Sequence, residues 1–112
     1  MSPADFDTTL SVSIETQDDQ LTLVLAGELD IASAGEIDRL TRDTPFAGVQ
    51  RVVLDLRDVE FIDSSGLRLL LGLRNDAKRN GSRLTVLAPA ASEARRIFLV
   101  TGTRAVFDWA DG

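Results

Sequence analysis

The stretch Val52-Val53-Leu54-Asp55-Leu56, followed by Asp63-Ser64-Ser65-Gly66-Leu67, decides the fold of this chain. The first segment has too little polarity for a strand with one wet face, so it predicts the centre of a sheet covered on both faces. The second opens a helical pattern that we expect to run from Ser64 to Asn80, where Asn80-Gly81 ends it. A buried strand that leads directly into a helix is typical of a parallel α/β sheet.

Upstream of this stretch, the period of the apolar residues predicts a β-hairpin. Residues 10–15 and 21–26 alternate apolar and polar or small side chains, and residues 17–20 form the turn between them. A helix is expected from Ile31 until Pro45 and Gly48. Its first turn has two candidate caps, because Ser33 and Glu36 have capping-box spacing and Asp30 is equally placed.

Downstream, the pattern predicts a strand over Arg83–Leu87 and a short helix from Pro89 to Val100. Residues Ala105–Trp109 are apolar enough for a last edge strand. The fold class predicted is therefore α/β, with a mixed, mainly parallel β-sheet, an N-terminal hairpin and helices packed against the sheet. We expect a flexible arm over residues 1–7 and a single domain over residues 8–112.

Composition excludes several classes of function. With 112 residues the chain is expected to form one domain. Its formal net charge of −6 argues against nucleic acid or an anionic membrane as partner. No apolar run approaches the roughly 20 residues that span a bilayer, and the N-terminus lacks a secretion signal, so a cytoplasmic location is expected.

Ser64 is the main candidate functional residue. It is expected in the first turn of a helix and in a short loop, where its hydroxyl is accessible and held in a fixed position. The chain contains no histidine, cysteine or tyrosine to activate that hydroxyl, so Ser64 is better suited to be a substrate than a nucleophile. The alternative is a plain N-cap role. The two roles are compatible, because a phosphoryl group is tolerated at a helix N-terminus.

The helix after Ser64 also suggests a docking surface. At 100° per residue, one face is assigned to the sheet; it holds Gly66, Leu69, Leu70, Leu73 and Ala77. Leu67 and Leu71 lie on the adjacent flank with Arg74 and Lys78, and an apolar pair with a basic edge suits a protein partner. The alternative is that the leucine-rich end of the helix is buried throughout.

The sequence does not support catalysis. Asp55 could accept phosphate as in receiver domains, but these also need an acidic pair and a lysine after a late strand, whereas the only lysine, Lys78, lies in a predicted helix. Neither a Gly-x-Ser-x-Gly elbow nor a P-loop is present. The carboxylates have no spacing that compels a metal site. We therefore predict no enzyme activity, no cofactor and no metal.

The chain resembles the STAS family, the domain of bacterial anti-sigma-factor antagonists. The resemblance covers nearly the whole sequence, and its most specific part is the loop from Phe61 to Leu67. Supporting segments are Gly27-Glu28-Leu29-Asp30, Val53-Leu54-Asp55-Leu56, Arg96-Ile97-Phe98 and Thr101-Gly102.

The resemblance implies a partner-switching cycle. The unphosphorylated antagonist binds an anti-sigma factor, a serine kinase that uses ATP and magnesium; phosphorylation of the serine after the aspartate, here Ser64, breaks the complex. A PP2C-type phosphatase reverses the step. Asp30 and the loop around Asp63, with Ser65, Gly66 and Leu67 at the start of the next helix, would lie at the kinase-facing end. Leu71 and Arg74, from the flank given by the helical period, complete the predicted partner-binding residues.

Three alternatives remain at this level. The domain could be a STAS scaffold or regulatory subunit of a stress-sensing or lipid-transport complex that is not switched at Ser64. It could bind or hydrolyse a nucleotide. An exposed strand at a sheet edge could pair with a second copy to give a homodimer.

Overall fold

The structure is a computed structural model and describes residues 10–33, 35, 37, 39, 46 and 48–110. The strands and α-helices with defined bounds in this part are β1 (Leu10–Gln17), β2 (Gln20–Leu29), β3 (Arg51–Ile62), α1 (Ser64–Arg79), β4 (Arg83–Leu87) and α2 (Ser92–Val100). Residues 31–33, 35, 37 and 39 are also helical, and a 3-10 helix spans Arg104–Val106. The predicted arm over residues 1–7 lies outside the described residues.

The sheet confirms the predicted topology. Its strand order is β1-β2-β3-β4, with β1 antiparallel to β2 and the other two pairs parallel. In the hairpin turn Asp18 has a φ of 55°, a left-handed conformation that aspartate tolerates better than most residues. Helix α1 provides the crossover from β3 to β4, because parallel neighbours need a long connection. The fold is thus α/β, with a mixed, mainly parallel sheet and an N-terminal hairpin.

One apolar core joins the inner face of the sheet to the helices. Its largest fully buried side chains are Leu21, Leu23, Leu25, Leu29, Ile37, Val52, Leu54, Leu56, Val59, Leu70, Leu73 and Val86. The opposite face of the sheet is less protected, since Thr22, Val24 and Val53 are half-buried. On the outer face of β3 Val53 is half-buried and Asp55 is buried, so the prediction of a central strand covered on both faces holds for the inner face and only in part for the outer face.

Strand β3 is longer than its sequence pattern predicts. It continues past Leu56 to Ile62, although Arg57, Asp58 and Glu60 are exposed. Its pairing with β2 shifts register twice along this extension. Each irregularity places an extra β3 residue in the ladder, which breaks the two-residue period on which sequence reasoning relies. The extension brings the end of β3 level with the end of β2.

Two predictions for the C-terminal part are wrong. Helix α2 begins at Ser92 instead of Pro89, which is buried in the preceding loop. In the predicted edge strand over Ala105–Trp109, Ala105 and Val106 belong to a 3-10 helix, and only Trp109 bridges to β4. The Trp109 ring packs edge-to-face on Phe98 at 5.1 Å between centroids. Val86 also exchanges two backbone hydrogen bonds of 2.8 Å with Asp108 and Ala110, so aromatic packing and this short bridge together hold the segment.

An ion pair between Asp55 and Arg57 lies within β3. The Arg57 Nε and Nη2 atoms donate to the two carboxylate oxygens of Asp55 at 3.0 and 2.8 Å. The backbone N–H of Arg57 also donates to Asp55 Oδ1 at 3.1 Å. Asp55 is buried, and the side-chain hydrogen bond from Arg57 lowers its pKa below the ordinary 3.8. Asp55 therefore serves as a partner of Arg57 inside the strand.

This ion pair predicts a pH dependence of stability. Because the folded-state pKa of Asp55 is lowered, its contribution is complete above the unfolded value near 3.8 and is lost as pH falls through the lower folded value. We expect Asp55→Asn to reduce the free energy of unfolding by about 1–2 kcal/mol at pH 7, and by less at pH 3. Urea titrations at both pH values measure the difference. Glu60→Gln, an exposed change on the same strand, is the control; an equal loss for Asp55→Asn at both pH values would contradict the assignment.

Candidate functional site

Two helices begin side by side at one edge of the sheet. In the parallel ladder Leu29, the last residue of β2, pairs with Ile62, the last residue of β3. Asp30 and Asp63 follow these residues directly, and each precedes a helical segment. The pairing register therefore brings two segments together that are more than thirty positions apart in the sequence. Both had been predicted as site residues.

Asp63, not Ser64, caps helix α1. The Asp63 Oδ1 atom accepts the backbone N–H of Gly66 at 2.9 Å, and the Asp63 carbonyl accepts the N–H of Leu67 at 2.9 Å. Ser64 is the first helical residue and is exposed, whereas Ser65 is half-buried. Within the described part of the chain, the Ser64 hydroxyl makes no hydrogen bond. The fold therefore holds this hydroxyl at the surface without using it.

Gly66 allows the first turn of α1 to lie against the end of β2. A Cβ atom at this position would be 2.3 Å from the Leu29 carbonyl oxygen and 2.8 Å from Leu29 Cγ. The same carbonyl accepts the backbone N–H of Asp63 at 3.2 Å, which fixes the loop from the other side. Gly66 is buried and holds the serine loop in place from beneath.

Asp30 caps the neighbouring helical segment. Its Oδ1 atom accepts the N–H groups of Ala32 and Ser33 at 3.1 and 3.2 Å. In return, the Ser33 hydroxyl accepts the N–H of Asp30 at 3.0 Å. The sequence left two candidate caps for this helical segment, and in the structure the cap is Asp30. Glu36, which belongs to the alternative capping box, lies outside the described residues. Asp30 is half-buried, and its carboxylate shapes this edge of the site.

The prediction that Leu67 lies on an outward flank of α1 is wrong. Leu67 is 6% exposed and belongs to the core, together with Gly66, Leu70, Leu73 and Ala77. Leu69, assigned to the sheet face, is instead half-buried. The buried face of α1 is therefore rotated toward Leu67 relative to the predicted face. Gly66, next to Leu67, lies directly against Leu29 at the end of β2.

The two other flank residues are only partly available. Leu71 is half-buried against the core. The Arg74 Nε atom donates to the Val106 carbonyl at 3.0 Å and so secures the C-terminal segment, far along the helix from Ser64. Their role in partner binding stays a prediction.

A groove lies between α1 and the helical segment that begins at Ile31. We call it the inter-helix groove; its volume is about 430 Å³ and it is lined by Ile31, Gly35, Ser65, Arg68, Leu69, Gly72, Leu73 and Asp76. Ile31 is 78% exposed. Sequence reasoning missed Ile31, Arg68 and Leu69 as surface residues of the site. The one available signal was the position of Ile31 directly after the Asp30 cap, where a large apolar side chain has no core to enter.

Comparison with known proteins defines the family. The STAS domain family model matches residues 11–109, which is most of the chain. The chain belongs to the STAS family. The anti-sigma-B factor antagonist of Staphylococcus aureus strain NCTC 8325 is 26% identical to this STAS chain over 95 residues, which cover 85% of this chain and 87% of that protein.

Solved structures agree with the STAS fold. An anti-sigma factor antagonist from Mycobacterium paratuberculosis superposes with a TM-score of 0.74 at 23% identity and covers 99% of this chain and 90% of its own. The anti-sigma factor antagonist SpoIIAA in its unphosphorylated form gives 0.74 at 24% identity, covering 89% and 88%. The phosphorylated form of the Bacillus cell fate determinant SpoIIAA gives 0.66 at 24% identity, covering 89% and 91%.

The described part of this STAS domain offers neither a metal cluster nor a membrane-spanning helix. Among residues 10–33, 35, 37, 39, 46 and 48–110, no three histidine, cysteine, aspartate or glutamate side chains form a group able to hold a metal ion. No helix in that part of the chain has the length and apolar character needed to cross a bilayer.

Proposed function

We propose that this STAS protein is an anti-sigma-factor antagonist that is switched by phosphorylation of Ser64. With a free hydroxyl it binds an anti-sigma factor that is also a serine kinase, and with a phosphate it is released. A PP2C-type phosphatase would restore the binding form, and the cycle would regulate sigma-factor-dependent transcription in the cytoplasm. The observation that carries the proposal is the exposed Ser64 hydroxyl, held at the first position of α1 while Asp63 does the capping.

The relatives support both the antagonist role and the phosphorylation in this proposal. The Staphylococcus aureus relative is named an anti-sigma-B factor antagonist, and SpoIIAA is known in a phosphorylated and an unphosphorylated form. Their fold is that of this chain, and the loop Asp63-Ser64-Ser65-Gly66 provides an acceptor serine in a defined position.

The position of Ser64 explains how phosphate can be added without disturbing the fold. Its side chain is exposed, so a phosphoryl group displaces no core atom. The capping bond from Gly66 N–H to Asp63 does not involve Ser64 and stays intact. Apart from the cap Asp63, the first turn of α1 contains no acidic residue, and a negative charge on Ser64 lies next to the positive end of the helix dipole. Phosphorylation is therefore expected to change the surface and not the architecture.

Release follows from the charge of the phosphate. A phosphoserine carries about −1.5 to −2 charges at pH 7. We propose that the partner covers the Ser64 loop and the inter-helix groove, where Ile31 and Leu69 give it apolar contact. Burying a phosphate in such an interface removes its hydration. The free-energy cost of this desolvation exceeds the gain from ion pairs and hydrogen bonds that satisfy the phosphate only in part. Asp30 and Ser65 adjoin this surface and remain proposed contacts. Leu71 and Arg74 were also predicted as contacts, but they lie on the other side of α1, where Arg74 donates to the Val106 carbonyl.

A phosphorylation assay tests the acceptor site. The chain is incubated with its cognate anti-sigma kinase, ATP and magnesium, and the intact mass is recorded. We expect one phosphate on the wild type and none on Ser64→Ala, because the hydroxyl is the acceptor. Ser92→Ala is the matched control, since Ser92 is also an exposed first residue of a helix.

The same assay distinguishes the alternatives. Equal phosphorylation of wild type and Ser64→Ala would assign the site elsewhere, with half-buried Ser65 the first candidate to test by Ser65→Ala. Binding of the kinase without any phosphorylation would favour a scaffold subunit that is not switched at Ser64.

A further inference from the structure

We propose that the Arg68 guanidinium pairs with the phosphate on Ser64 of the same chain, so that phosphorylation changes the position of the Arg68 side chain. This inference rests on the proposed phosphorylation of Ser64 and adds a residue that binds the phosphate. Arg68 is exposed on α1, four positions after Ser64, and it lines the inter-helix groove.

Helix geometry places the two side chains together. Residues at i and i+4 lie on one face with about 5–6 Å between their Cβ atoms. Ser64 and Arg68 are both exposed, so this shared face is the solvent face of α1. Helical side chains also lean toward the N-terminus of the helix, which directs the long Arg68 side chain back over Ser64. An acidic group at i and a basic group at i+4 is the favourable order for such a pair.

The chemistry of the two groups also fits. A guanidinium offers several N–H donors in a plane and binds phosphate oxygens through two parallel hydrogen bonds. Lysine at the same site would supply a point charge only. The carboxylates that share this edge, Asp63 and Asp30, already accept backbone N–H groups, so their charges act on the phosphate equally in every Arg68 variant.

Pairing gives Arg68 two positions with different consequences. With Ser64 unmodified, the Arg68 side chain lines the inter-helix groove. With Ser64 phosphorylated, it is drawn back to the start of α1 and leaves that surface. Phosphorylation would then alter the groove as well as the loop, and both changes oppose a partner that binds the unmodified surface.

The experiment uses phosphoserine inserted at position 64 during protein synthesis, so it requires no kinase. The second pKa of the phosphate, near 6 in a free phosphoserine, is measured by ³¹P NMR titration in the full chain. We expect Arg68→Gln to raise this pKa by about 0.3 unit, because loss of the cation disfavours the dianion. Arg68→Lys is expected to recover part of the shift.

Lys78→Gln is the matched control. It removes the same charge from the exposed side of α1, but about 21 Å along the helix from Ser64. A shift for Arg68→Gln no larger than that for Lys78→Gln would overturn the proposal, because it would show only a general charge effect. If the pair is confirmed while the kinase assay fails on Ser64, the proposed function is wrong and the pairing stands. If the kinase acts on Ser64 but Arg68→Gln leaves the phosphate unchanged, only the pairing is wrong.

Discussion

Gly66→Ala is expected to lower the melting temperature by about 10–15 °C, the largest effect on stability among the changes considered. The added Cβ would lie 2.3 Å from the Leu29 carbonyl oxygen, much closer than any real contact allows. The atom in the way belongs to the backbone at the end of β2, which is hydrogen-bonded to Asp63 and has no rotamer to change. Either α1 or the end of β2 must move, at a cost of about 3 kcal/mol.

A second glycine in the same helix provides the control. At Gly72 a Cβ atom meets nothing within 4 Å, and the residue is exposed. Gly72→Ala is expected to stabilise the chain by about 0.5–1 kcal/mol, because alanine favours the helix more than glycine does. Thermal melts followed by circular dichroism measure both variants. A Gly66→Ala protein that melts within 2 °C of the wild type would contradict the close approach of α1 to β2.

Ser64→Asp is expected to weaken binding to the cognate anti-sigma factor about 100-fold, which corresponds to about 2.7 kcal/mol. The carboxylate places a negative charge in the proposed interface, where it loses its hydration on binding. Ser64→Ala adds no charge and is expected to bind within a few-fold of the wild type. Calorimetric titration of each variant into the purified partner gives the affinities.

The matched control for this prediction is Ser92→Asp, the same change at the first position of α2. It is expected to leave the affinity unchanged, since Ser92 lies outside the proposed surface. Neither aspartate variant is expected to reduce the melting temperature, because an acidic residue in the first turn interacts favourably with the helix dipole. If Ser64→Asp bound as tightly as wild type, the charge-based release mechanism would be wrong. A large drop in its melting temperature would show that Ser64 serves the fold.

Sequence reasoning succeeded where the signal was local. The hairpin turn around Asp18, helix α1 and the parallel arrangement of β3 and β4 follow from period, turn residues and element order. It failed where tertiary contacts override the period. The two register shifts in β3 allow polar residues to continue the strand, and a 3-10 helix with one bridge at Trp109 replaces the last predicted strand.

The candidate site shows the same division. The sequence placed Ser64 at a helix start, with an N-cap role as the alternative for that residue. Hydrogen-bond geometry decided for Asp63. The helical period put Leu67 on the surface and Leu69 in the core, since a wheel carries no information about how closely a helix approaches its neighbour. In the structure Gly66 lies against Leu29, and the buried face of α1 includes Leu67 in place of Leu69.

The amino-acid sequence by itself therefore determined the fold class, the family resemblance and the serine loop, because these depend on residue type and spacing along one segment. Only the tertiary structure decided that Asp63 and not Ser64 caps α1, that Leu67 is buried and that a groove lined by Ile31 and Leu69 lies beside the loop. The physical reason is the parallel register of Leu29 with Ile62. That register joins two distant helix starts, and no local pattern encodes it.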